Sequence, residues 1–213
     1  MFIAHRGNDN HKYRENSEKA ILYSLRQDYI SGIECDIRLT KDKEIVLSHN
    51  TLIDLESSGS GFIHNFTLKE LLSYSFKNEK ITVLKNILSK IETNKILLLE
   101  IKEERSGRED EWREALEPII TKYIDLNIYL CSFNYDLLIR LKKYFKVPIG
   151  LIVGYMINKN KDITPFDCVM YQYNSFKYVH KLTMVWTINN YDKSEKYKKR
   201  ASYIITDKAY ELV

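Results

Sequence analysis

The chain has 213 residues, 44% hydrophobic and 29% charged, with a net charge of +4. This is globular composition, long enough for one α/β domain with a sizeable core, and its weak, dispersed positive charge argues against a nucleic-acid partner. Three widely spaced cysteines (Cys35, Cys131, Cys168) form neither a disulfide framework nor a zinc motif, and no apolar run has the length needed for stable membrane insertion.

Short apolar runs mark strand candidates at 2–4 (Phe-Ile-Ala), 33–39, 96–101, 127–132, 147–153, 167–170, 182–187 and 203–206. Helical spacing predicts helices between most of them, at 17–30, 67–75, 84–92, 109–124, 134–145, 174–180 and 190–199. Strands alternating with helices imply βαβ units and a parallel sheet. Eight strands in so short a chain predict a compact (β/α)8 TIM barrel, a single domain over residues 1–213. An open dinucleotide-binding sheet would need a Gly-rich turn after a strand, and none occurs. The run "EIVLSH" at 44–49 is expected to pair with the second strand through the turn at Lys41-Asp42-Lys43. Polar residues begin at His5, so no apolar leader is read and a cytoplasmic location is expected.

In such a barrel the chemistry sits where strands end and helices begin. His5 and Arg6 follow the first strand, and Glu34 and Asp36 lie on the second. His49 closes the run after it, and Glu100 and Lys102 end the third. Thr187 and Asn189 follow Trp186 at the seventh, and Thr206-Asp207 close the eighth. Glu34 and Asp36 are two residues apart and share a face, so their charges repel unless a cation lies between them. Three carboxylates suit one hard divalent ion such as Mg²⁺, Ca²⁺ or Mn²⁺. Arg6 and Lys102 suit a phosphate, and His5 and His49 suit proton transfer near neutral pH.

Taken singly, each signal has a plainer explanation. His5 alone reads as structural, Glu34 with Asp36 as a lysine-paired strand edge, Lys102 as solvated loop and Trp186 as core. Their convergence on one rim describes metal-assisted phosphoester hydrolysis. His11, His64 and His180 match no motif and are expected to be structural or exposed.

Order and spacing also carry a family resemblance. "AHRG" (4–7), "ENSEKA" (15–20), "GIECDIRLTKDKEIVLSHN" (32–50), "ITVLKNIL" (81–88), "LEIK" (99–102), "SF" (132–133), "VWTIN" (185–189) and "IITD" (204–207) occur in sequence. The chain thereby resembles the glycerophosphodiester phosphodiesterases, whose barrel is related to that of the phosphatidylinositol-specific phospholipases C. The resemblance implies His5 and His49 as the catalytic pair. It implies Glu34, Asp36 and Glu100 as ligands of the divalent metal, and Arg6 and Lys102 on the phosphate. Glu15 would lie at the metal and glycerol end of the pocket, and Trp186 would wall a small-molecule glycerophosphodiester. Hydrolysis would give glycerol 3-phosphate and an alcohol. Two alternatives stay open: a phosphorus–oxygen lyase giving a cyclic phosphate, and a non-catalytic barrel used for binding.

The chain departs from the family pattern in places. Arg14 stands where the family has Pro, Lys43 where it has a turn Gly, Asn50 where it has Asp, and Tyr203 where it has Gly. The region between His49 and the third strand is short, without a full lid.

Overall fold

The structure is a computed structural model and describes residues 1–9, 11–102, 107–154, 162–176 and 182–213. Eight parallel strands close into a barrel: β1 (Phe2–Ala4), β2 (Ile30–Leu39), β5 (Ile96–Ile101), β6 (Ile128–Ser132), β7 (Ile149–Val153), β8 (Cys168–Gln172), β9 (Thr183–Trp186) and β10 (Tyr203–Thr206). Closure comes from β1, which pairs with β10 on one side and β2 on the other. Two short strands extend the sheet, β3 (Ile45–Leu47) antiparallel to the end of β2 and β4 (Thr82–Val83) antiparallel to β3. Among the described residues the α-helices are α1 (Glu18–Leu25), α2 (Leu68–Ser73), α3 (Leu84–Leu88), α4 (Glu109–Lys122), α5 (Tyr135–Leu141) and α6 (Tyr191–Lys198).

The expected strands are all present, and "EIVLSH" supplies β3 through the expected turn. Differences lie at element ends. The helix expected over 17–30 stops at Leu25, where the Lys95 ammonium donates to the carbonyls of Leu25 and Gln27. That releases Ile30 to begin β2, three residues before the expected start. The helices expected over 84–92 and 134–145 end at Leu88 and Leu141. Of the helix expected over 174–180, Tyr173–Ser175 form a 3-10 turn and 177–180 lie outside the described residues.

Strand alternation divides the core in two. Outward residues such as Ile33, Cys35, Ile37, Leu97 and Leu99 pack with Trp112 and Leu116 of α4 and Ile21 of α1. Inward residues Ile3, Ile96, Leu98, Cys131, Ile152, Cys168, Met170, Met184 and Ile205 fill the lumen. A Cβ at Gly150 would lie 2.6 Å from the Cys168 sulfur, so glycine there leaves room for the two lumen cysteines. The same inward rows become charged toward the strand C-termini: Ile3 precedes His5, Leu98 precedes Glu100, and Ile205 precedes Asp207. Apolar residues thus fill the barrel and polar ones crown it.

Residues 51–81 form a compact insertion on the crown side of β3. It contains the Leu52–Phe62 bridge and α2, whose Thr67 and Glu70 make a reciprocal capping box. Its own core is Val46, Ile53, Ile63, Leu71, Phe76 and Ile81. The stretch between His49 and the third barrel strand, read from sequence as short and without a full lid, therefore folds as a unit with a packed centre.

Candidate active site

The turn after β1 presents two site residues at once. Arg6 has left-handed backbone angles (φ 53°) and Gly7 follows at φ 66°, where a Cβ would collide with Ile21 at 2.6 Å. The turn aims the Arg6 backbone N–H at Glu34 Oε2 (2.9 Å) and the Arg6 guanidinium at Glu15 Oε2 (2.6 Å). Arg6 Nε also lies 3.7 Å from Asp36 Oδ2.

Glu34, Asp36 and Glu100 are all buried, and Asp36 and Glu100 are register partners on β2 and β5. Each offers an oxygen to a cluster whose atoms all lie within 4.8 Å of one another. Asp36 is the anchored member. Its Oδ2 accepts from Asn16 Nδ2 (2.8 Å), its backbone N–H donates to Asn16 Oδ1 (3.0 Å), and Lys102 Nζ lies 3.0 Å from its Oδ1. Lys102 Nζ also lies 2.5 Å from Glu100 Oε1. Asp36 Oδ1 and Glu100 Oε1 thus face only this ammonium, and Glu34 Oε1 is buried without a hydrogen-bond donor.

The electrostatics follow from this packing. Burial first, then the Asp36 charge, pushes Glu34 up to about 8. Burial also raises Glu100 against the pull of Lys102. For Asp36, burial is outweighed by Lys102 and Asn16, which hold it below the usual aspartate range. Three buried carboxylates with oxygens within 4.8 Å of one another, one oxygen (Glu34 Oε1) without a donor and two facing only the Lys102 ammonium, are the donor set of a hard divalent cation. These residues could hold such an ion.

Two histidines complete the rim. His5 Nδ1 is 2.7 Å from Asp207 Oδ1, and His5 Nε2 lies 3.8 Å from Glu34 Oε2. Burial pulls its pKa down, but the Asp207 hydrogen bond and the Glu34 charge outweigh it and the net shift is upward. Asp207 is itself fixed by Asn189, which donates from Nδ2 (2.7 Å) and accepts the Asp207 N–H at Oδ1 (2.9 Å). His49 has no carboxylate on its ring; Nδ1 faces Asn50 Oδ1 at 3.4 Å. Burial lowers its pKa, and Arg6 and Lys102 lower it further against the opposing charge of Asp36.

A cavity of about 220 Å³ lies over these groups. His5, Arg6, Glu34, His49, Glu100 and Lys102 form its polar side. Opposite them stand Phe133, Ile152, Met170, Trp186, Thr187 and Ile205. Trp186 packs edge-on against Phe133 (5.7 Å between centroids) and its indole N–H donates to the Met170 carbonyl. Trp186 lines the cavity and also packs against the lumen core. Asp36 sits behind the polar side, and Glu15 stands beside it on the Arg6 guanidinium. His11 is exposed, His64 stacks on Phe62, and His180 lies outside the described residues.

Asp207, Asn189 and Asn16 received no role from sequence. Asp207 carries a usable signal, since it falls two residues after the lumen residue Ile205 and so on the inward row.

Fold and rim together define a class, a (β/α)8 barrel with an acidic, metal-capable cluster, two histidines and two cations around one cavity. The family model described as "Glycerophosphoryl diester phosphodiesterase family" matches residues 5–209, and the chain belongs to that family. YhdW of Bacillus subtilis is 30% identical over 161 residues, 70% of this chain and 64% of that protein. Glycerophosphodiester phosphodiesterase 1 of Mus musculus is 28% identical over 154 residues, 66% of this chain and 45% of the mouse protein. The chain thus spans less than two thirds of the length of these curated relatives. Its fold matches a phosphodiesterase of Oleispira antarctica, solved in complex with the product sn-glycerol-3-phosphate, with a TM-score of 0.88 at 20% identity, covering 100% of this chain and 94% of that one. The glycerophosphodiester phosphodiesterase of Thermotoga maritima matches with a TM-score of 0.77 at 24% identity, covering 100% and 97%.

Proposed function

We propose that the protein hydrolyses a glycerophosphodiester to glycerol 3-phosphate and an alcohol, with Glu34, Asp36 and Glu100 holding a divalent ion, Mg²⁺, Ca²⁺ or Mn²⁺. The observation that carries this reading is the cavity wall, which brings the acidic cluster, Arg6, Lys102, His5 and His49 together in a chain of this family. The product bound in the Oleispira antarctica phosphodiesterase supports the substrate class. When bound, the ion supplies Lewis-acid neutralisation of charge on a non-bridging phosphate oxygen.

The chain's own residues do the rest. Arg6 and Lys102 orient the phosphate and offset its charge. The Asp207 carboxylate on His5 Nδ1 stabilises the imidazolium, so His5 is the proton donor to the leaving alcohol. His49 Nδ1 faces an amide, and burial with Arg6 and Lys102 favours the neutral ring over the pull of Asp36, so His49 takes the proton of the attacking water. Phe133 and Trp186 exclude bulk water from one side. The test is ³¹P NMR of sn-glycero-3-phosphocholine incubated with the protein and each ion. Glycerol 3-phosphate is the expected product. A cyclic phosphate would replace hydrolysis with the lyase reading, and unchanged substrate across several head groups would refute both.

A further inference from the structure

The insertion touches the loop that carries His49 and Asn50 through the Glu56 carboxylate. Glu56 Oε1 accepts a hydrogen bond from Asn50 Nδ2 at 2.8 Å. Its Oε2 lies 3.7 Å from an Arg14 guanidinium nitrogen. Arg14 is itself fixed: its side chain is 4% exposed, it lies over the Phe76 ring, and it donates to the carbonyls of Glu15 and Lys80. At the other end of the array, Asn50 Oδ1 faces His49 Nδ1.

A primary amide has one donor end and one acceptor end, whereas an ionised carboxylate only accepts. Glu56 therefore decides which way Asn50 points. With Nδ2 on Glu56, Oδ1 must face the imidazole; the reversed amide would set oxygen against oxygen. We propose that Glu56, held by Arg14, is a positioning residue for His49. It orients the Asn50 amide so that His49 keeps its proton on Nδ1 and its lone pair on Nε2. The inference rests on the proposed role of His49 in proton transfer.

The array makes an unusual demand on substitutions. Asn50→Asp preserves size but places two carboxylates at hydrogen-bond distance, so one must move or take a proton. Glu56→Gln fails differently, because the glutamine NH2 must face either Asn50 Nδ2 or the Arg14 guanidinium, donor against donor in both cases, and the ion pair to Arg14 is lost. The two changes together match again. Glutamine at 56 donates to aspartate at 50 and accepts from Arg14, while aspartate at 50 still offers an oxygen to His49.

The experiment compares wild type, both single variants and the Asn50→Asp/Glu56→Gln double variant on a chromogenic phosphodiester at saturating divalent ion. Each single variant should lose roughly tenfold in kcat with little change in KM, a part of the 10²–10⁴ that acid–base help supplies. The double variant should recover to within about threefold of wild type on the high-pH plateau, where His49 is neutral although the new carboxylate at 50 raises its pKa. Singles with wild-type kcat, or a double no better than the poorer single, would overturn the role. A wild-type protein without turnover refutes the hydrolase reading instead. The His49 ¹⁵N spectrum then decides the positioning role: Nδ1–H in wild type and double with mixed tautomers in Glu56→Gln supports it, and one unchanged tautomer throughout rejects it.

Discussion

His5 and His49 face the same cavity but are held by different chemistry, a carboxylate in one case and an amide in the other. If they are the proton-transfer pair, His5→Ala and His49→Ala should each lower kcat by about 10²–10⁴-fold. The double variant should be little worse than the poorer single, since the two act in one step. Steady-state kinetics on the three variants checks this, and near-wild-type turnover in either single removes that histidine from the mechanism. At this scale the sequence was legible wherever one strand carries the signal. The two-residue spacings of Glu34 with Asp36 and of Glu100 with Lys102 place each pair on one face through the pleat of a single strand. Residues whose partners arrive only when the barrel closes were not legible. His5 meets Asp207 across 202 positions, and Asn16 reaches Asp36 from the turn before α1. The departures at Arg14 and Asn50 looked unrelated in sequence, yet both end on Glu56.

Strand positions follow from short apolar runs, because a buried parallel strand has little else to distinguish it and much hydrophobic surface to hide. Helix ends escaped, because they are set by tertiary caps such as Lys95 on α1. The insertion escaped for a related reason: its core mixes Val46 of β3 with five residues spread over 53–81. Phe76 is 1% exposed at the centre of that core. Phe76→Ala should cost about 3–5 kcal/mol of local stability. Hydrogen exchange should accelerate first in 52–80 while the barrel strands keep their protection, and uniform acceleration would show that the insertion is not a separate cooperative unit. The hairpin between β2 and β3 supports α2 from outside. Asp42 accepts from Thr40 Oγ1 (2.6 Å) and from the Leu68 N–H (3.0 Å) at the start of that helix. Burial is the largest single influence and opposes ionisation, but the hydrogen bonds from Thr40 and Leu68 together with the remaining contacts outweigh it and hold Asp42 below its ordinary range. A depressed carboxylate contributes stability above its unfolded pKa, about 3.9, and loses it as pH falls through the folded value. Urea midpoints of wild type and Asp42→Asn should therefore differ near neutral pH and converge in acid. A gap that persists unchanged into acid would mean the effect does not come from the Asp42 charge.

Pairing of β2 with β5 gathers three carboxylates at the crown, and the whole molecule carries the cost of that arrangement. Lys102 and Arg6 offset part of it, chiefly at Asp36. Glu34 has less help: Oε2 accepts the Arg6 backbone N–H, and Oε1 is buried without a donor. A divalent ion that binds only the folded barrel should raise its stability by RT ln(1 + [L]/Kd), about 2.7 kcal/mol at a hundredfold excess over Kd. Chelation should lower the melting temperature and abolish hydrolysis, and Mg²⁺, Ca²⁺ or Mn²⁺ should restore both. The ligands should then separate under substitution. Glu34→Gln removes a charge that lacks a full partner and keeps an acceptor for the Arg6 N–H. Without metal it should be at least as stable as wild type, yet it should lose most of the metal-induced rise. Asp36→Asn removes the anchored partner of Lys102, and breaking a buried pair costs about 3–5 kcal/mol, nearer the low end here because Lys102 keeps Glu100. That variant should melt below wild type even in chelator. Scanning calorimetry with and without chelator reads all four differences. If chelated wild type keeps its melting temperature and activity, or Glu34→Gln keeps the full metal response, the acidic cluster is not a cation site, and Lys102 and Arg6 are its permanent partners.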